Sequence, residues 1–394
     1  MSRSIITGID IGTYHVKVVI AHGSEVGERG FPKILATGIA DSRGLRHGYV
    51  INPHDIAQSI RKAMNEAEKK ANVKVRKAFV AVGGIGLGSM VYSSSIIISK
   101  ADLEITNLDI KKVQEQCEKD IPNNAILNRK IINSVPLQYK IDGKVILGKP
   151  EGMKGSKFEV KTLYITCLEH HLNDIIQSVE EAGISVEDIV ASPIAASLVT
   201  LTKAQKIAGC VLANIGAETV AIAVFENNMP VSLEIFPIGS TDITNDIALG
   251  LKVPLEEAEQ IKIGAITGSS FPRKKLEEII SARLSDIFEL IEAHLKKIGR
   301  NGLLPAGIII TGGGSGLSNI DEMAKAYLRL PSRIGGLGIK SSEKQNWKDS
   351  TWAVAYGLCI LGTHSEEDES IDTSAQFLSK MWRSIVSSIK QFLP

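Results

Sequence analysis

The stretch VLANIGAETVAIAVF, residues 211–225, reads as a strand, a short loop and a second strand. Apolar residues alternate up to Asn214 and Gly216 and resume at Val220, the period-two rhythm of extended chain. An earlier stretch, GIDIGTYHVKVVIA at 8–21, has the same rhythm, with Asp10 in place of Asn214 and Thr13 in place of Ala217. A strand–loop–strand unit used twice divides the chain into two related halves. That duplication decides the fold.

Working outward from 211–225, GCVLANIG, TVAIAVF and MPVSLEIFPIG form a three-strand meander. STDITNDIALG and PLEEAEQIKIG follow as helices. KKLEEIISARLSDIFELIEAHLKKIG is a long amphipathic helix, apolar at Leu276, Ile279, Ile280, Ile287, Leu290, Ile291 and Leu295. AGIIITGGGSG is a buried strand running into glycines, and TWAVAYGLCILG is an apolar helix closing the globular part. In the first half, Asn52 caps a helix that has Pro53 at its first position and Ile56, Ile60, Ala63 and Ala67 as its buried stripe. KAFVAVGG is a strand ending in glycines, and LNDIIQSVEEAG is a helix closed by Gly183. Between about 84 and 162 the pattern becomes strand, helix, strand, strand, a small α+β module set into a larger α/β fold.

At 394 residues the chain is too long for a single compact core. With 45 basic and 44 acidic residues, no global field points to a nucleic-acid partner. Cys117, Cys167, Cys210 and Cys359 lie far apart with no CxxC pair, the pattern of reduced thiols. MSRSIITGID enters a strand directly, so no signal peptide is expected. No stretch has the roughly 20 apolar residues that span a bilayer.

The loop opened by Gly12, with Thr13 and its backbone N–H groups, is suited to cradle phosphate. Asp10 just before it suits a Mg²⁺ ion held through water. TGGGSG, 311–316, lets backbone approach a ligand closely, and Glu259 and Lys262 share one helical face suited to ribose hydroxyls and a purine edge. Taken singly, each motif is better read as an ordinary turn or a surface ion pair worth about 0.2–0.5 kcal/mol. The signal is the order of all four elements around an internal repeat.

That order resembles the actin, heat-shock-70 and sugar-kinase superfold, in which two related halves clamp ATP. ITNDIALGLKVPLEEAEQIKI, PEGMKGSKFEV, NSVPLQYKIDG and GIIITGGGSGLSNI further resemble the bacterial cell-division protein family FtsA, over essentially the whole chain. The resemblance implies an actin-like duplicated ATPase fold with ATP and Mg²⁺ as cofactors. It assigns 1–83, 163–203 and 341–363 to the first half, 84–162 to the inserted module, 204–240 and 301–340 to the second half, and 241–300 to a helical subdomain. It implies phosphate contacts at Asp10, Gly12, Thr13 and Lys17, and further nucleotide-binding positions at Tyr14, at Asn214, Gly216, Ala217 and Glu218 in the second loop, and at Gly239. Adenosine contacts fall at Glu259, Lys262, Gly312, Gly313, Gly314 and Ser315.

The second loop departs from the family pattern Asp-Ile-Gly-Gly-Gly-Thr-Thr. Asn214 removes a carboxylate that anchors magnesium-bound water, and Ala217 is costly if the backbone needs positive φ. Glu218 either sits near the phosphates, points to solvent or itself approaches the metal. LTKAQKIAG has no carboxylate where relatives are acidic, leaving Gln205 as the candidate for orienting water. ATP is therefore expected as a bound switch with little or no hydrolysis.

THSEEDESIDTS holds five acids in a polar stretch, and a flexible linker is expected at 364–373. Thr373 and Gln376 fit a capping box for a helix at 374–394. At about 100° per residue, Phe377, Leu378, Met381, Trp382, Ile385, Val386, Ile389, Phe392 and Leu393 share one half of that helix. Lys380, Arg383 and Lys390 lie on the other half with serines and no acid, the pattern of an in-plane anchor on an anionic membrane. The family resemblance implies the same role at the cytoplasmic face of the cell membrane, at the division site. It also implies filament formation, docking of the FtsZ C-terminal peptide on the helical subdomain, and other division partners on the inserted module. The rival readings are an actin-like pilus-assembly adaptor, which shares the module, and a small-molecule kinase of the same superfold.

Overall fold

The computed structural model describes residues 5–26, 31–266, 271–336 and 350–367. Its frame is two five-stranded sheets of the same order. In the first, β3 (Pro32–Asp41), β2 (His15–Val26), β1 (Ile5–Ile11), β6 (Lys77–Val82) and β11 (Ser185–Ala191) lie side by side. In the second the order is β14 (Met229–Phe236), β13 (Val220–Glu226), β12 (Cys210–Ile215), β15 (Ile308–Thr311) and β16 (Ser332–Ile334). In each, the first three strands of the chain form an antiparallel meander and the last two join in parallel. The repeat extends past its opening hairpin to whole sheets.

Strand alternation decides where the cores lie. Val211, Ala213, Ile215, Val220, Ile222 and Val224 face a core built with the helices of the second half. Leu212, Ala221, Ala223 and Phe225 point the other way, into a core continuous with the first half. Because both faces of this sheet are buried, β12 and β13 are apolar at nearly every position.

Helix α1 (Pro53–Ala71) starts as expected: the Asn52 side chain accepts from the His54 N–H at 3.1 Å, and Ile56, Ile60, Ala63 and Ala67 are buried. Helix α3 (Glu169–Glu181) ends just before Gly183, whose φ is +87°. Helices α4 (Ser192–Thr200) and α10 (Ala353–Glu367) pack on each other, and α10 lies against β1 and β2. In the second half, α6 (Ser240–Leu251), α7 (Leu255–Lys262), α8 (Arg273–Lys297) and α9 (Ile320–Leu328) surround the second core. On α8, Ile287, Ile291 and Leu295 are buried with Leu284 and Phe288, whereas Leu290 is 37% exposed and stands outside the stripe expected for it.

The inserted module is a sheet of order β7 (Leu87–Ile97), β10 (Lys157–Leu168), β8 (Arg129–Ile141) and β9 (Lys144–Ile146), covered by α2 (Asn107–Lys119). Strand β10 runs through residue 162 and serves two cores. Phe158, Val160 and Tyr164 pack inside the module, whereas Leu163, Ile165 and Cys167 belong to the main core. The module is therefore joined to the body by a shared strand.

Helix α10 continues to Glu367, so the linker expected from residue 364 begins inside a helix. Its acidic residues are adequate helix formers, and no glycine or proline interrupts them. The anchor helix expected at 374–394 lies outside the described residues. Among the described residues no helix is long and apolar enough to cross a membrane, and all four cysteines are free and buried.

Candidate functional site

The two hairpin loops are built alike. The Gly12 N–H donates to the His15 carbonyl at 3.1 Å, and the Gly216 N–H donates to the Thr219 carbonyl at 2.8 Å. Ile11 pairs with Val16 and Ile215 with Val220, so Asp10 and Asn214 occupy equivalent positions, as do Thr13 and Ala217, and Tyr14 and Glu218. Both loops open into one cavity of about 650 Å³ lined from both halves. Of the sixteen positions expected at the site, Asp10, Gly12, Thr13, Tyr14, Lys17, Asn214, Gly216, Ala217, Glu259, Lys262, Gly312, Gly313 and Gly314 line it.

On the first wall, Lys17 Nζ donates to the Thr351 carbonyl at 2.8 Å and stands 5.7 Å from the centre of the Trp352 ring. Burial pushes the Asp10 carboxyl up to about 6, against the pull of the Lys17 charge. A carboxyl whose folded value lies above its unfolded one stabilises the fold below about pH 4, and that contribution is lost as pH rises through about 6. Without ligand, Asp10→Asn is expected to raise stability at pH 8 by about 1–3 kcal/mol and to leave it unchanged at pH 4. Denaturant melts at the two pH values measure this, and equal effects at both would refute the electrostatic account.

On the second wall, Lys262 Nζ lies 2.7 Å from Glu259 Oε2 and donates to Thr244 Oγ1 at 2.8 Å and to the Ser240 carbonyl at 3.1 Å. Thr244 Oγ1 in turn donates to Glu259 Oε2 at 2.6 Å. The Lys262 side chain is 7% exposed, so this is a cleft pair held between α6 and α7, not an ion pair on open surface. Gly312, at φ +88°, lies flat on the second hairpin: a Cβ there would fall 2.3 Å from Asn214 Oδ1 and 2.6 Å from the Ile215 carbonyl. Only glycine fits that approach.

Three expected residues do not line the cavity, and each has another task. Ser315 is buried, its hydroxyl donating to the Gly312 carbonyl at 2.7 Å and pairing with Ser350 Oγ at 2.8 Å, so it braces the glycine turn from behind. Gly239 lets the start of α6 approach the second loop, since a Cβ would fall 2.3 Å from the Ala217 carbonyl. The next two amides, of Ser240 and Thr241, donate to the Gly216 and Ala217 carbonyls at 2.9 and 2.8 Å. Glu218 points neither to solvent nor into the cavity: its Oε2 accepts from the His47 N–H at 2.5 Å.

Two further expectations are corrected. Ala217 is not among the residues with positive φ, so its side chain imposes no backbone strain. Gln205 does not reach the cavity; its Oε1 accepts from the Thr202 N–H at 2.9 Å, capping α5 (Lys203–Ala208), and from Arg333 Nη2 at 2.9 Å.

The structure also brings in residues not expected from the sequence. Gly48, Gly83 and Gly84 line the first wall, Ser192 enters from the start of α4, and Ser240, Thr241, Ser350, Thr351 and Trp352 are among the other lining residues. Gly83 and Gly84 follow β6 as Gly312–Gly314 follow β15, and the two strands hold equivalent places in their sheets. Following the repeat one strand further finds them.

The fit to a nucleotide can be judged from these donors. Glycine backbone from both halves surrounds the cavity, two lysines line it, and its carboxylates are Asp10 and Glu259. No group of three or more acidic, histidine or cysteine side chains among the described residues could hold a metal alone. The set therefore suits an ion carried by phosphates and water with a single carboxylate, the manner in which Mg²⁺ is usually bound.

Two equivalent halves closing on a glycine-rich cleft define an actin-like ATPase fold. Solved structures of that kind align over most of the chain. The PilM–PilN type IV pilus biogenesis complex has a TM-score of 0.67 at 18% identity, covering 92% of this chain and 99% of that one. MreB5 of Spiroplasma citri bound to ADP has a TM-score of 0.51 at 12% identity, covering 93% and 98%. Residues 211–357 match the family described as cell division protein FtsA, and residues 86–166 match the SHS2 domain inserted in FtsA. The cell division protein FtsA of Neisseria meningitidis serogroup B is 31% identical over 376 residues, covering 90% of this chain and 89% of the relative. That of Pseudomonas aeruginosa is 29% identical over 389 residues, covering 93% and 91%. The chain belongs to the FtsA family of cell-division proteins.

Proposed function

We propose that the protein is a nucleotide-responsive adaptor of the division machinery, binding Mg-ATP in the cleft between its halves. In this reading it self-associates into filaments and receives the C-terminal peptide of FtsZ on the subdomain of α6, α7 and α8. It holds both to an anionic membrane through the helix at 374–394. The observation that carries the nucleotide reading is the convergence of two like hairpins and a glycine turn on one cavity. Lys17 and Lys262 supply positive charge, and Glu259, oriented by Thr244 and Lys262, offers an acceptor for hydroxyls. When bound, Mg²⁺ supplies charge neutralisation of the phosphates, with Asp10 as its carboxylate partner through water. Turnover is weak or absent in this reading, because Asn214 stands where the family has a carboxylate and Gln205 is engaged elsewhere.

A kinase role is disfavoured because Glu259, one of the two carboxylates in the lining, is held by Thr244 and Lys262. The pilus-adaptor reading is disfavoured because both family matches are to cell-division proteins. Calorimetric titration with Mg-ATP tests the site, with saturable 1:1 binding expected and no heat at millimolar ATP overturning it. Asn214→Asp alone is expected to tighten Mg-ATP binding by about tenfold and binding of ATP in EDTA hardly at all, since about 1.4 kcal/mol is the weight of one charge-assisted contact. An equal gain in EDTA would rule out a role through the ion.

A further inference from the structure

Glu218 joins the two halves where their loops meet. Its Oε2 accepts from the His47 N–H at 2.5 Å, and its backbone carbonyl lies 3.3 Å from His47 Nδ1. His47 sits in the turn between β4 (Leu45–Arg46) and β5 (Tyr49–Val50), 171 positions away in the chain. Both partners are fixed from behind. Gly48 and Gly84, at φ +70° and +77°, meet so closely that a Cβ on Gly48 would fall 2.4 Å from the Gly84 Cα, and the His47 carbonyl accepts from the Ile85 N–H at 3.3 Å. The loop of Glu218 is tied to α6 through the Ser240 and Thr241 amides.

The neighbours of this contact line the cavity on both sides, Gly48 and Gly84 from the first half and Gly216 and Ala217 from the second. The repeat isolates what is new. Tyr14, the counterpart of Glu218, is 60% exposed and packs edge-on against the adjacent His15 ring at 4.5 Å. The carboxylate at 218 therefore adds a cross-cleft hydrogen bond that the equivalent side chain of the first loop does not make, beside the contact of the loop's own carbonyl with His47.

We infer that Glu218 is a positioning residue that clasps the cleft shut through the His47 amide, so that closure does not wait for the terminal phosphate of a bound nucleotide. The clasp itself stands on protein contacts alone, and its link to phosphate rests on the nucleotide reading above. With the clasp, a nucleoside diphosphate and triphosphate find the same closed cleft. Without it, only a ligand that bridges both loops draws the halves together.

Hydrogen–deuterium exchange of the full chain tests both parts. Without ligand, Glu218→Ala is expected to speed exchange in the segment 45–50 at least tenfold, with β1 and β12 unchanged as evidence of an intact fold. Glu218→Gln, whose amide oxygen still accepts, is expected to stay within about threefold of the unaltered protein. Unchanged exchange at 45–50 in Glu218→Ala overturns the clasp. In the second arm, saturating Mg-ATP restores protection in Glu218→Ala more than Mg-ADP does, while the unaltered protein is protected equally with either. Equal restoration by both overturns the link to the terminal phosphate. No response to either nucleotide in any variant overturns the nucleotide reading and leaves the clasp to stand on the first arm.

Discussion

Replacing Gly312 by alanine is expected to weaken Mg-ATP binding by more than a hundredfold and to lower the melting temperature. A single methyl group at this position has nowhere to go. It would lie 2.3 Å from Asn214 Oδ1 and 2.6 Å from the Ile215 carbonyl, while the backbone sits at φ +88°. Either the residue leaves the conformation that glycine allows, at about 1–3 kcal/mol, or the turn lifts off the second hairpin. The first option redirects the amides of Gly313 and Gly314, and the second moves one wall of the cavity. Each removes several contacts together, which justifies an estimate near 3 kcal/mol. Gly313→Ala is the matched control. No heavy atom lies within 4 Å of its added Cβ and its φ is unexceptional, so its melting temperature is expected to be unchanged. Native affinity in Gly312→Ala, measured by calorimetry, would show that the glycine turn does not form the ligand's wall.

Much of this site could be read from alternation and punctuation. The period-two rhythm at 8–21 and 211–225, broken at Gly12 and Gly216, located both hairpins and aligned Asp10 with Asn214. Glycines after a buried strand marked 312–314. What escaped depends on contacts between distant segments. Lys17 meets Thr351 across 334 positions, and no local pattern announces it. His47 and Glu218 belong to different halves, so the role of Glu218 could not be chosen from its own loop. Gln205 is a different case. Thr202-x-x-Gln205 is a capping box in plain view, and the cap accounts for the glutamine oxygen before any water does. The linker edge was misplaced because polar composition argues against a core but does not stop a helix already started.

Deleting residues 374–394 is expected to abolish co-sedimentation with vesicles containing anionic lipid, a loss of at least a hundredfold. The segment places Phe377, Leu378, Met381, Trp382, Ile385, Val386, Ile389, Phe392 and Leu393 on one side at helical spacing. Each side chain that leaves water for the acyl boundary contributes of order 1 kcal/mol or more, offset by the ordering of a helix that is marginal alone. The three cations add up to about 1 kcal/mol each on an anionic leaflet and little on a neutral one. The two contributions can be separated. Changing Lys380, Arg383 and Lys390 together to glutamine is expected to remove the preference for anionic over neutral vesicles, up to about a hundredfold. Trp382→Ala is expected to weaken binding to both kinds alike. High salt should mimic the triple change and spare the aromatic one, because screening acts on charge and not on apolar burial. A helix that instead docks on its own domain gives the opposite pattern. Deletion would then leave vesicle binding untouched and lower the melting temperature of the globular part, an outcome that would remove the membrane from the proposed function while leaving the cleft and its clasp in place.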